Sequence, residues 1–117
     1  MRPFEHLTDT DLQALLRTAQ DCRSPASLRA HGSHRMLGDL HLRGMEPGEA
    51  LHIIGAKRRD LLPEVGTPMT LTLLLEEDVV SLDAPFLEPL TFEGDMPPIL
   101  RVGWPQMGIQ RHPRREM

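Results

Sequence analysis

The residues best equipped for chemistry lie at the C-terminal end of the chain, in Gln110-Arg111-His112-Pro113-Arg114-Arg115-Glu116-Met117. Arg111 and Arg115 stand four residues apart. Each guanidinium can grip phosphodiester oxygens through paired hydrogen bonds, stack on a guanine, or read its O6/N7 edge. Shielded from water, one such charge-assisted bond contributes about 1.5–3 kcal/mol; on a frayed tail it contributes far less. The cations are gathered there. Residues 101–117 hold Arg101, Arg111, Arg114 and Arg115 against Glu116 alone, so they carry +3 of a chain whose net charge is −4, and residues 1–100 carry −7.

Other reactive side chains are less well arranged. Of six His, only His31-Gly32-Ser33-His34 forms a close pair, and Gly32-Ser33 reads as a turn with no second pair at ligand spacing. His41 and His52 fall within strand patterns, where an isolated histidine is ordinarily a surface or hydrogen-bonded structural residue. No metal site is expected. Cys22 lies beside Asp21, which disfavours its thiolate, and beside Arg23, which favours it. Ser24, Ser27, Ser33 and Ser81 occur in no nucleophile elbow. Gly44-Met45-Glu46-Pro47-Gly48 lacks the Gly-Lys-Ser/Thr ending of a phosphate loop and places a carboxylate where phosphates would be repelled. Glu76-Glu77-Asp78 reads as a solvated turn. These patterns point away from an enzyme.

Composition narrows the classes further. A length of 117 residues suits one domain. A mean hydropathy of −0.32 leaves no room for a membrane span. With 3% aromatics and no Tyr, the base-stacking platforms of single-stranded nucleic-acid binders are nearly missing. The acidic body also disfavours a nucleic-acid module. One Cys forms no intrachain disulfide and Met1–His6 offers no apolar leader, so a cytoplasmic setting is expected.

The elements that must carry these residues begin with a helix. Leu12, Leu15, Leu16 and Ala19 recur at helical spacing after a capping-box-like Thr8 and Asp11, which predicts a helix over about 9–20, ended by Ser24-Pro25. Its one-sided stripe should lie on a sheet or barrel. From Ala26 the period becomes two. Met69, Leu71, Leu73 and Leu75 form one buried face of a strand, and Met36, Gly38, Leu40 and Leu42 are expected to share the apolar face of another. Shorter strands are expected at 26–31, 50–55, 79–82, 85–92 and 98–104. Turn chemistry separates them at 30–33, 45–48, 62–66 and 93–98. One helix followed by six or seven short strands predicts a mainly β chain, a small antiparallel (split) barrel with an N-terminal helix over residues 1–104. Residues 105–117 read as an Arg-rich exit from that barrel.

This order, with a Pro-containing strand exit leading into a Gln-Arg-rich segment, resembles the N-terminal domain of YcgR-like flagellar brake proteins, the barrel that precedes a PilZ domain in cyclic di-GMP receptors. The resemblance spans nearly the whole chain, from the helix at Asp11–Arg17 through Arg115. It implies a regulatory, non-enzymatic domain that needs no cofactor, with Arg111, Arg114 and Arg115 as nucleotide contacts. Flagellar motor components are its implied partners. Two alignments with the family's Arg-x-x-x-Arg motif remain open. Either Arg111 and Arg115 satisfy it, with His112 in place of the doublet's second Arg, or Arg114-Arg115 form the doublet and the completing Arg lies beyond Met117. Asp39-Leu40-His41-Leu42-Arg43-Gly44 echoes the PilZ barrel's Asp/Asn-x-Ser-x-x-Gly, but His41 replaces the Ser and the segment precedes the Arg motif. Gly44 is therefore read as turn-forming.

The implied mechanism is a two-state hinge, an Arg-rich linker re-oriented by a dianionic ligand. Without a PilZ barrel, nucleotide binding by this chain is expected to be weak or absent. The acidic body is also expected to attract the basic tail. Two other classes remain, a flavin-binding split barrel, disfavoured by Trp104 being the only indole, and an adaptor barrel with no ligand.

Overall fold

The computed structural model describes residues 9–33, 36–55, 63–76, 78–90, 99–105 and 107–113. It contains α1 (Asp9–Asp21), β1 (Pro25–Ala30), β2 (Met36–Glu46), β3 (Ala50–Ile54), β4 (Pro68–Leu74), β5 (Asp78–Leu90), β6 (Ile99–Gly103) and β7 (Met107–Pro113). The strands lie in the order β4-β1-β2-β3-β6-β5-β7, and a further β4–β5 pairing closes the first six into an antiparallel barrel. The chain is thus mainly β with one helix at its N-terminal end, as its periodicity predicts.

The helix delivers Leu12, Leu16 and Ala19 to the core and packs against β2. Thr8, the expected cap, lies outside the described residues. The other end is held by backbone geometry: Ser24 N–H donates to Ala19 C=O at 3.0 Å and Arg23 N–H to Gln20 C=O at 3.2 Å. Arg23 stands at φ 49°, the left-handed conformation that this double closure requires. Inside the barrel, Leu28, Leu40, Leu42, Ile53, Leu71, Leu73, Leu82, Phe86 and Leu100 are all fully buried.

β2 departs from the expected alternation. Leu37 is buried and Met36 is exposed, the reverse of their expected places. The cause is a bulge. Ala26 pairs with Leu40 but Leu28 with Leu37, so β2 carries one extra residue there, and Asp39 takes φ 58° within it. Gly44, read as a turn residue, instead lies in β2 at a second register shift opposite β3. The turn follows at Glu46-Pro47-Gly48-Glu49, where Glu49 N–H donates to Glu46 C=O at 2.8 Å and Gly48 has φ 79°. Pro and Gly at its central positions suit a type II turn.

The two strands expected at 79–82 and 85–92 are one. β5 runs unbroken through Pro85, because that residue sits where the partner edge is interrupted. On one side β5 pairs with β4 from Val79 to Pro85. On the other, β6 covers Phe86–Leu90 and β7 covers Asp78–Asp83, and the Trp104-Pro105 corner between them needs no N–H from Pro85. The Pro85 ring also fills the space a side chain at position 103 would take: a Cβ on Gly103 would lie 2.9 Å from Pro85 Cδ.

Residues 107–113 correct the reading of an exit beginning at 105. They form β7, held by β5 through Val80↔Arg111 and Asp78↔Pro113 among other pairs. A polar strand without a clean alternation reads as a linker, but β5 supplies it with a ready-made edge.

Candidate functional site

Of the three arginines expected to contact a ligand, the structure places one. Arg111 lies in β7 opposite Val80. Arg114 and Arg115 follow Pro113 in the chain and lie outside the described residues, as does the expected turn at 93–98. Arg101, counted with the basic end by sequence, belongs elsewhere. It stands in β6, directly opposite His52 of β3 and Glu88 of β5.

Those residues build a polar ladder across four strands. Arg101 Nε donates to Glu46 Oε2 at 2.8 Å, its Nη2 donates to Oε1 at 3.1 Å, and its Nη1 donates to Glu88 Oε1 at 3.3 Å. His52 Nε2 lies 2.6 Å from Glu46 Oε2. The Arg101 fork, and then the His52 hydrogen bond, hold the Glu46 carboxyl down at about 2. Arg101 is pushed above its usual range chiefly by the same contact with Glu46. Chemically the ladder is saturated. Glu46 stays ionised and is no proton donor near neutral pH, and the Arg101 fork is already spent on carboxylates. Its work is to fix the register of β2, β3, β6 and β5.

A second cluster joins β1–β2, β4 and β5. Thr70 Oγ1 donates to Asp83 Oδ1 at 2.9 Å, and His31 Nε2 lies 3.0 Å from Thr70 Oγ1 and 3.3 Å from Asp83 Oδ1. These residue types suggest a nucleophile triad, but the wiring differs. A triad places its carboxylate on Nδ1 and its hydroxyl on Nε2. Here one nitrogen faces both, and the hydroxyl donates its hydrogen bond to Asp83. His31 belongs to the turn expected at 30–33, with Ser33 N–H donating to Ala30 C=O at 3.1 Å. Among the described residues no group of three or more His, Cys, Asp or Glu has a metal-binding arrangement. Cys22 is exposed just beyond α1.

Two hollows adjoin these elements. One of about 190 Å³ is bordered by Leu28, Ala30, Ser33, Met36, Leu37, Pro63 and Met69. The other, a groove of about 450 Å³ at the corner where β6 gives way to β7, is lined by Gly48, Glu49, Asp83, Pro85, Leu87, Gly103 and Trp104. The ladder and the Thr70 cluster escaped sequence reasoning because each joins residues distant in the chain. The one legible signal was that His52 and Arg101 fall on strands of period two. No described helix is long and apolar enough to cross a membrane. Neither a protein-family model nor a curated protein matches this chain.

Proposed function

We propose that this chain is a regulatory, non-enzymatic barrel of a cyclic di-GMP-responsive receptor of the PilZ type, with Arg111, Arg114 and Arg115 supplying part of the nucleotide site. The observation that carries the reading is the position of β7. β7 is laid along Asp78–Asp83 of β5, outside the six-strand ring, and carries Arg111 opposite Val80, with Arg114 and Arg115 next in the sequence, so the basic run begins on a strand added to the barrel. The saturated wiring of Glu46, Arg101, Asp83 and Thr70 supports a non-catalytic role for the rest of the surface. In this reading the barrel wall meets a protein partner, by family likeness a flagellar motor component at the basal body, and the arginines meet phosphate and guanine. Fold likeness alone carries the partner only weakly, so the nucleotide is the part to test first.

Calorimetric titration with cyclic di-GMP tests it on two proteins, this chain and the same chain continued into a PilZ barrel. The expected result is little or no heat from the first and tight binding by the second, lost when Arg111, Arg114 and Arg115 are changed together to Ala. A fusion that binds no nucleotide, or binds equally without the three arginines, refutes the reading.

A further inference from the structure

The groove of about 450 Å³ at the corner after β6 combines an apolar lining with charge of one sign. Pro85, Leu87 and Trp104 supply the apolar part, while Gly48 and Gly103 add backbone without side chains. Among the described residues that line it, the ionisable ones are Glu49 and Asp83, both acidic. They come from different elements. Glu49 ends the β2–β3 turn, and its C=O accepts from Trp104 N–H at 3.0 Å, which ties that turn to the corner. Its carboxylate is exposed and makes no ion pair or hydrogen bond among the described residues. Asp83 lies in β5, where Thr70 and His31 both meet Oδ1, so it keeps its charge and a second oxygen for another donor. β6 stands between the two: Ala50, next to Glu49, pairs with Gly103, and Val102 pairs with Phe86 of β5. Their backbones are therefore two strand spacings apart, roughly 10 Å across the sheet.

We propose that this groove binds an aliphatic diamine, with one ammonium at Glu49, the other at Asp83 Oδ2, and the hydrocarbon between them against Pro85, Leu87 and Trp104. Charge complementarity selects a cation. The separation of the carboxylates selects a ligand charged at both ends, since a single ammonium reaches one of them and leaves the other unpaired. The apolar lining selects a hydrocarbon spacer over a metal ion that keeps its water. The site uses none of the three arginines and stands whether or not the nucleotide reading does.

Trp104 is the only Trp and the chain has no Tyr, so indole emission reports from the groove itself. Fluorescence and calorimetric titrations of the full chain at low salt, with putrescine and cadaverine as probes and butylamine and magnesium ion as comparisons, test the proposal. The expected result is a saturable change in Trp104 emission with the diamines, and binding of butylamine and magnesium weaker by at least about twofold. Glu49→Gln should weaken the diamines about two- to fivefold, as the loss of one exposed ion pair does. Glu76→Gln should leave them unchanged, because it removes the same charge from an exposed position at the far end of the β4–β5 hairpin, beyond Leu74↔Val79. No saturable response to either diamine, equal binding of butylamine or magnesium, or equal effects of the two substitutions overturns it.

Discussion

Glu46 holds two partners on one carboxylate, and that double use has a pH signature. Its folded value of about 2 lies below the ordinary 4.5, so the ionised form is the one folding favours. The stabilisation is complete above about pH 4.5 and is lost as the pH falls toward 2. Glu46→Gln should therefore flatten the acid limb. Urea midpoints taken from pH 6 to pH 2 should fall more steeply in the wild-type chain than in the variant, and parallel curves would show that the ladder carries no such linkage. Sequence spacing could not reveal this ladder. Arg101 is 55 residues from Glu46 and was counted with the basic tail, because only the β3–β6 and β5–β6 pairings bring it to His52 and Glu88. Arg111 was legible as a cation at a given place, but that it sits on a paired strand was not.

At the scale of elements, local pattern and distant contact divide the work. The helix was readable to within a residue because its stripe and Pro25 are local. Its actual stop, the left-handed Arg23, was less so, since glycine normally fills that place. Arg23→Gly should accordingly raise stability by up to about 1 kcal/mol, as relief of left-handed strain outweighs the glycine's added freedom when unfolded. A denaturant midpoint that falls instead would mean the Arg23 side chain contributes more than its backbone costs. The bulge in β2 shows the opposite dependence. Asp39 turns out of the strand where Gly55 closes on it: a Cβ on Gly55, at φ 116°, would stand 2.6 Å from the Asp39 carbonyl oxygen. Met36 and Leu37 exchange faces at this bulge, and no alternation count can foresee an extra residue there.

For the whole molecule, barrel class was legible from six or seven short strands after a helix, whereas closure was not. Closing the ring takes the β3–β6 and β4–β5 pairings together, and β5 spans both only because it continues through Pro85. β7 is an addition to that ring and not a member of it. In monomeric protein its amides should exchange with solvent at least about tenfold faster than those of β4, since β7 can lift away by local opening while β4 is released only with the barrel. Equal protection in the two strands would make β7 part of the cooperative unit.

The first and last described elements, α1 and β7, are consequently attached in different senses. Leu12, Leu16 and Ala19 anchor α1 within the core, so a disturbance near the first turns must be absorbed by every strand around them. The last seven strand residues rest on a β5 that keeps β4 on its other edge whether or not they are present. β7 can therefore be lost or exchanged for another strand while the barrel keeps its shape, which makes β7 a berth and α1 a keel.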